Sequence, residues 1–302
     1  MTTPPAPRTG RGRFRSALIS TAGHCKIACG FCFRADRAHG YLALPLYTRS
    51  LSRLKEAGAE EICLTGGEPA HHPELRQLVR LAHQFGMPIS AVTSARIPED
   101  VERLEEVAHL LANVTVSADS AAAMRLGRTQ RSAATGMATL DKLSVTLGRV
   151  LHVTYWQLTD AECRALHDLV AESKTEVQFS PVMLDEADRA RAGWSVTDYL
   201  RQQSDDTTLL GAHFRLTPRF RRHVQDLQAL HREPPGRRRC QGRSLYVSAA
   251  GEIRRCPYGK ASVSVTAPRT TIRDFLDAEP QEWTTPSCAA ICRAEPPPAS
   301  SP

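Results

Sequence analysis

The sequence predicts an α/β protein in which about six β/α repeats, over residues 14–183, precede a small cysteine-bearing module. Short runs of β-branched and apolar residues alternate with segments of helical periodicity, which is the pattern of βαβ units and a parallel sheet. After residue 237 the pattern changes to an alternating β-hairpin flanked by cysteines. Parallel strands with helical crossovers form either an open doubly wound sheet or a barrel, and the residue pattern alone fits both.

Six strands are predicted from runs of β-forming residues: 14–21, 60–67, 88–94, 113–119, 149–156 and 176–183. Helices are predicted between them, at 48–58, 73–86, 98–111, 133–148 and 159–173. Two of these helices begin with proline, which is favoured in a first turn. Thr159 and Glu162 form a capping-box pattern at the start of the last helix. Because sites in such folds lie at the carboxyl ends of the strands, the loops after the first two strands share one functional edge.

The segments outside the repeats divide by composition. Residues 1–13 are a basic arm and residues 296–302 a proline-rich tail, and both are predicted to be disordered. Residues 184–236 are predicted to be a helical, arginine-rich linker. Residues 237–295 are predicted to form the cysteine-bearing module, around a hairpin at 243–257.

Charge and composition limit the classes of function. The 302-residue chain has a net charge of +7, but the basic residues are dispersed and lack the interleaved aromatics of single-strand binders, which favours a solvated surface over nucleic-acid binding. No membrane-spanning apolar run or secretory signal is present, so a cytoplasmic protein without a membrane partner is predicted. Thiols stay reduced in that compartment, and nine cysteines then favour metal binding or catalysis.

Three cysteines follow the first predicted strand, at Cys25, Cys29 and Cys32. A structural zinc site usually has four ligands in CxxC pairs. Three thiolates on one tight loop instead suit an iron–sulfur cube with one iron left open, although zinc remains an alternative.

A glycine turn follows the second predicted strand, at Gly66, Gly67, Glu68 and Pro69. Two glycines allow a ligand to approach the backbone closely, and Glu68 offers an acceptor for a positively charged amine. The turn lies on the same predicted edge as the cysteine loop, which raises its weight above that of an ordinary βα turn.

Together these residues resemble the radical S-adenosylmethionine (SAM) superfamily. The family's Cys-x3-Cys-x-aromatic-Cys signature is matched at Cys25, Cys29, Phe31 and Cys32, and its GGEP motif at residues 66–69. The resemblance implies a partial (β/α)6 barrel and a 4Fe–4S cluster whose open iron takes the amino and carboxylate groups of SAM. It also implies that the GGEP turn holds the SAM amino group. An electron from the cluster, supplied by an external reductant such as flavodoxin or ferredoxin, would cleave SAM to a 5′-deoxyadenosyl radical that abstracts hydrogen from the substrate.

Other matches to the family are looser. Ser117 and Asp119 resemble its strand-four SxD segment, which implies contact with the SAM ribose or the substrate, and a helix cap is the alternative. Thr93 and Ser94 stand where many relatives have a Thr-Asn-Gly turn and are candidate cofactor-binding residues. Relatives often place an arginine near SAM where this chain has three candidates: Arg125, Arg128 and Arg131.

Four C-terminal cysteines form the next group: Cys240, Cys256, Cys288 and Cys292. The spacing Cys240-x10-Gly251-x4-Cys256 resembles the opening of SPASM and twitch modules, which carry auxiliary clusters. Four cysteines imply the shortened twitch version with one auxiliary 4Fe–4S cluster. A four-cysteine zinc site is the alternative, although the CxxC pairs typical of zinc are missing.

Cys63 and Thr65 alternate on the second strand and therefore share a face. If that face lines a barrel interior, Cys63 is either a small buried hydrophobe or a thiol that returns a hydrogen atom to a substrate radical. Cys163 lies on a predicted helix and is interpreted as packing, whereas His24 adjoins the cluster loop and is a candidate for tuning it through a hydrogen bond.

Three functions remain open at this point. The first is a radical SAM enzyme acting on a small biosynthetic intermediate of sugar, nucleoside or amino-acid type. The second is a SPASM-type enzyme that modifies a ribosomal peptide; only about 24 residues precede Cys25, which favours the small molecule. The third, a zinc-bearing nucleic-acid-binding protein, has no explanation for the GGEP turn or the three-cysteine loop.

Overall fold

The computed structural model describes residues 14–25, 29–32, 40–143, 148–184, 186–218, 220–221, 239–240, 244–257, 261–278 and 294–295. The predicted basic arm at 1–13 and the predicted tail at 296–302 lie outside these residues, as do Cys288 and Cys292. Among the described residues, no helix combines the length and apolar character needed to cross a membrane.

Six parallel strands form the centre of the fold, in the spatial order β1 to β6. They are β1 (Ser16–Ala22), β2 (Glu61–Gly66), β3 (Ile89–Thr93), β4 (Asn113–Asp119), β5 (Gly148–Tyr155) and β6 (Glu176–Pro181). Each of the six predicted strands is present, and the described strands form an open sheet with β6 at one edge. The predicted partial barrel is confirmed.

Helices connect these strands and cover one side of the sheet. They are α1 (Leu44–Glu56), α2 (Leu75–Gln84), α3 (Pro98–Ala108), α4 (Ala121–Gly127), α5 (Ala133–Lys142) and α6 (Asp160–Val170). The predicted start of α1 at residue 48 was wrong, because the Thr48 hydroxyl donates to the Leu44 carbonyl inside the first turn instead of capping it. The predicted capping box at Thr159 and Glu162 is confirmed.

The two faces of the sheet differ in polarity. Position 136 on α5 lies against Val116, Ala118 and Leu151, so these residues face the helices and join the apolar core. Side chains alternate along a strand, and the other face therefore carries the intervening residues. Across the parallel registers this inner face carries the polar residues Cys63, Ser90, Thr115, Ser117, His152, Thr154, Gln178 and Ser180, together with the apolar Leu18, Val92 and Val150.

The predicted C-terminal hairpin continues the same sheet. Strand β8 (Ser244–Val247) pairs parallel with β1, β9 (Glu252–Arg254) pairs antiparallel with β8, and β10 (Val263–Ser264) follows. A separate two-stranded ladder joins β7 (Arg239–Cys240) to β11 (Ala294–Glu295). The remaining described helices are α7 (Glu186–Arg191), α8 (Val196–His213) and α9 (Arg269–Asp277).

Candidate functional site

The cysteine loop follows β1 at the carboxyl edge of the sheet. Cys29 is buried, Cys25 and Cys32 are half-buried, and none of the three forms a disulfide. Burial raises the pKa of the Cys29 thiol; Arg131 opposes that shift, while Cys32, Asp119 and Cys25 add to it. The three thiols therefore lie within electrostatic reach of one another and of a guanidinium group.

Two glycines allow the loop to pack against its neighbours. A Cβ on Gly67 would lie 1.4 Å from the His24 carbonyl oxygen, so only glycine fits at this point of the GGEP turn. On the other side, a Cβ on Gly127 of α4 would lie 2.2 Å from the ring of Phe31. The loop is thus held between the turn after β2 and the end of α4, and Phe31 packs on α4.

Glu68 lies beside this contact and is 1% exposed. Its Oε1 accepts hydrogen bonds from the Ala70 amide at 3.3 Å and from Thr93 Oγ1 at 2.6 Å. Its Oε2 accepts from the Ser94 amide at 2.8 Å and from Ser94 Oγ at 2.7 Å. Pro69 begins the 3₁₀ turn Pro69–His71, which positions the Ala70 amide.

The turn after β3 is shaped around Glu68. Thr93 Oγ1 donates to Glu68 and accepts from the Ala95 amide at 2.8 Å. Ala95 has a φ of 38°, in the left-handed region that favours glycine. Thr93 and Ser94, both predicted cofactor-binding residues, contact Glu68 in the described structure.

A second buried carboxylate, Asp119, lies at the end of β4. Arg131 donates to it through Nε at 2.8 Å and Nη2 at 2.7 Å, and Thr129 Oγ1 donates at 2.5 Å. Burial alone would lower the pKa of Arg131, but the bonds to Asp119 raise it. Of the three candidate arginines, the structure brings Arg131 to the cysteine loop, whereas Arg125 and Arg128 are exposed.

Sequence reasoning did not single out His152, which lies on the inner face of β5. It pairs in register with Ser117, and its Nε2 lies 2.9 Å from Ser180 Oγ. Its pKa is lowered to about 4, chiefly by burial and also by Arg131, while Asp119 acts in the opposite direction. His152 is therefore neutral at pH 7. The alternation of side chains along β5 could have identified it, because this alternation places His152 on the face away from its apolar neighbours.

The remaining predicted residues lie as follows. Cys63 is half-buried on the inner face, and burial raises the pKa of its thiol to about 11. Cys163 is buried against Tyr155 and Leu210, as a packing residue should be. The His24 ring stacks on His71 at 5.6 Å between ring centres.

Two of the predicted auxiliary ligands are described. Cys240 lies on β7 and pairs with Ala294, which follows Cys292 by two residues in the sequence. Cys256 is half-buried and follows β9.

The three thiols of the cysteine loop are the donor type that holds an iron–sulfur cluster. Within the part of the chain that the structure describes, no three His, Cys, Asp or Glu side chains are grouped to hold one metal ion. In an iron–sulfur cube each thiolate binds a different iron, so the ligands need not converge on one point. A loop of three thiols, tightly seated on a glycine turn, suits that arrangement.

Comparison with known proteins finds similarity over part of the chain. A family model described as "Radical SAM superfamily" matches residues 19–142. An S-adenosylmethionine-dependent nucleotide dehydratase from Thermoplasmatales archaeon (strain ISO4-H5) is 35% identical over 118 residues, which cover 38% of this chain and 43% of that protein. A PqqA peptide cyclase from Ruegeria pomeroyi is 31% identical over 97 residues, covering 30% and 26%. The chain thus matches less than half the length of these curated relatives.

Solved structures support the fold. SuiB from Streptococcus suis, bound to its precursor peptide SuiA, superposes with a TM-score of 0.57 at 16% identity, covering 88% of this chain and 65% of that one. A structure titled "Native anSMEcpe with bound AdoMet and Cp18Cys peptide" gives 0.55 at 14% identity, covering 86% and 79%. At these identities the likeness concerns the fold. The family itself implies a 4Fe–4S cluster and SAM as cofactors.

Proposed function

We propose that this chain, whose residues 19–142 match the radical SAM superfamily model, is an enzyme that cleaves SAM reductively and abstracts a hydrogen atom from a small biosynthetic intermediate. The observation that carries the proposal is the seating of the three-cysteine loop on Gly67, directly beside buried Glu68. This contact brings together the cysteine loop, which would bind a cluster, and the GGEP turn, which would bind SAM.

Each part of this site has a proposed role. Cys25, Cys29 and Cys32 would hold the 4Fe–4S cluster, whose fourth iron stays open for SAM. When bound, the cluster and SAM supply hydrogen-atom abstraction by a 5′-deoxyadenosyl radical. Glu68 would attract the SAM ammonium group, since the four donors that it accepts from among the described residues are neutral and do not cancel its charge.

Arg131 is the proposed partner of the SAM carboxylate. Its guanidinium lies near Cys29 and Cys25 and is oriented by two hydrogen bonds to Asp119. Asp119 already accepts hydrogen bonds from Arg131 and Thr129. We therefore propose that its role is to orient Arg131. Ser117 lies on the inner face of β4, two residues before Asp119. We propose that it contacts the ribose or the substrate.

The inner face favours a small polar substrate. The interior of a closed β/α barrel is filled by branched apolar side chains. Here the inner face also carries uncharged polar groups, among them Ser117, His152 and Ser180, beside the branched Val92 and Val150. Such a wall suits the hydroxyl or amide groups of a sugar, nucleoside or amino-acid derivative. A peptide substrate is the second candidate, favoured by the partial match to a PqqA peptide cyclase.

We also propose an auxiliary 4Fe–4S cluster, bound by Cys240, Cys256, Cys288 and Cys292 in a module at 237–295. The pairing of Cys240 with Ala294 supports this proposal, because it joins the two ends of the proposed module. The cluster would accept an electron from a substrate radical or act as a structural staple. An external flavodoxin or ferredoxin is the proposed reductant.

The decisive experiment replaces Cys29 in protein purified and reconstituted without oxygen. Cys29→Ala should lose the SAM-binding cluster and release no 5′-deoxyadenosine with dithionite, because an incomplete ligand set does not retain the cube. Cys163→Ala is the matched control and should retain both, since Cys163 lies in a separate packing cluster. Normal deoxyadenosine formation by Cys29→Ala, or zinc in place of iron in the wild type, would contradict the proposal.

Iron counting tests the auxiliary cluster. About eight irons per chain are expected in the wild type and about four in Cys256→Ala, which should still cleave SAM. About four irons in both proteins would remove the auxiliary cluster from the proposal and leave the SAM site intact.

A further inference from the structure

The carboxylate of Glu68 already has a complete set of hydrogen-bond donors. A carboxylate offers about four lone-pair sites. Ala70 N and Thr93 Oγ1 take the two on Oε1, and Ser94 N and Ser94 Oγ take the two on Oε2. A further donor, such as an ammonium group, therefore needs one of these four to leave.

Three of the four donors are fixed. The Ala70 and Ser94 amides belong to the backbone, and they cannot turn away unless the 3₁₀ turn or the turn after β3 changes conformation. Thr93 is buried, and its Oγ1 is also the acceptor for the Ala95 amide at 2.8 Å. Releasing Thr93 from Glu68 would break two buried hydrogen bonds at once.

The fourth donor, Ser94 Oγ, is different. It needs only a rotation about χ1 to leave Oε2, and its 2.7 Å bond to Glu68 is independent of the bond from its own amide. Ser94 is half-buried, so the released hydroxyl can be hydrated.

We propose that Ser94 Oγ occupies a hydrogen-bonding position on Glu68 that the ammonium group of SAM takes when it binds, and that the hydroxyl then turns to solvent. This inference rests on the proposed function and assigns Ser94 as a positioning residue that competes with the cofactor. Thr93, by contrast, holds the carboxylate in place in both states.

The test measures the dissociation constant of SAM by anaerobic equilibrium dialysis with the reconstituted enzyme. Ser94→Ala should bind SAM about 2- to 10-fold more tightly, because a hydrogen bond with a net advantage over water no longer has to be broken. Thr93→Val should bind SAM more weakly, because it loosens Glu68. Ser52→Ala removes a serine hydroxyl that donates to the Glu56 carboxylate on α1; it is the matched control and should bind as the wild type does.

A second ligand separates competition from a general change in the site. 5′-Methylthioadenosine lacks the ammonium group, so Ser94→Ala should leave its dissociation constant unchanged. Equal or weaker SAM binding by Ser94→Ala, or an equal gain for methylthioadenosine, would overturn the displacement while leaving the proposed function in place. Tighter SAM binding by Thr93→Val would overturn the distinction between the two residues. If the wild type binds no SAM, the proposed function fails, and the inference fails with it.

Discussion

Two buried carboxylates lie at the carboxyl edge of the sheet, Glu68 after β2 and Asp119 at the end of β4. The groups that stabilise their negative charges are different. Among the described residues, Glu68, after β2, accepts hydrogen bonds from amides and hydroxyls alone. Asp119, at the end of β4, forms a bidentate ion pair with Arg131 and accepts a hydrogen bond from Thr129. With these partners the Glu68 carboxylate keeps its negative charge, whereas Asp119 and Arg131 are neutral as a pair.

The difference indicates that the two carboxylates have separate roles at one edge of the sheet. Dipoles stabilise the Glu68 charge without cancelling it, so the turn remains attractive to a cation. At Asp119 the charge is cancelled, and the pair instead holds the Arg131 guanidinium beside Cys29. Removing each carboxylate should therefore have different consequences, one for folding and one for binding.

The largest effect on stability is expected for Asp119→Asn. It leaves the guanidinium of Arg131, whose side chain is only 12% exposed, without its charged partner. Removing one member of a buried pair costs about 3–5 kcal/mol. Urea unfolding under anaerobic conditions measures the change.

The matched control is Asp141→Asn. Asp141 pairs with Arg149 but its side chain is 66% exposed, so its loss should cost about 1 kcal/mol or less. Equal losses in the two variants would show that the Asp119–Arg131 pair is effectively solvated.

Glu68→Gln should have a smaller effect on folding, about 2 kcal/mol, because an amide nitrogen replaces an acceptor that faces donors from Ser94. Its effect on SAM binding should be large, about 10- to 100-fold, since the uncompensated charge is lost. Equilibrium dialysis and urea unfolding on the same preparation separate the two effects. Unchanged SAM affinity would remove Glu68 from the binding role.

The sequence was sufficient for features encoded by nearby residues. Strands β1 to β6 follow from local runs of β-forming residues, and the capping box of Thr159 and Glu162 spans three positions. The cysteine loop and the GGEP turn are equally local. Helix α4 was missed because its seven residues offer too few turns for a periodic pattern.

The sequence could not supply contacts between distant strands. Ser94 reaches Glu68 across 26 positions, and the choice of Arg131 over Arg125 depends on how the chain after α4 folds back to Asp119. His152 was missed for the same reason, since its environment is made by β4 and β6 as well as by its own strand.

A matched pair of substitutions sharpens the comparison of the two carboxylates. Thr93→Val removes the donor to Glu68 and the acceptor of the Ala95 amide, and should cost about 2 kcal/mol. Thr129→Val removes one donor to Asp119, which keeps both bonds from Arg131, and should cost about 1 kcal/mol. Urea midpoints give the order, and a larger loss for Thr129→Val would reverse the interpretation.

The smallest expected effect concerns pH at the Asp119 end of the site. His152 faces Arg131 and Asp119, and its pKa is lowered from 6.5 to about 4, chiefly by burial. Below pH 6.5 the unfolded chain binds a proton that the folded chain does not take up until about pH 4, so stability falls as the pH falls through that window. The loss attributable to His152 should be about 1 kcal/mol over the first pH unit below 6.5. His152→Gln should remove this part of the slope in unfolding free energy against pH. Parallel slopes for the two proteins would mean that water reaches His152 freely, and the inner face would then be an open surface instead of an enclosed polar wall.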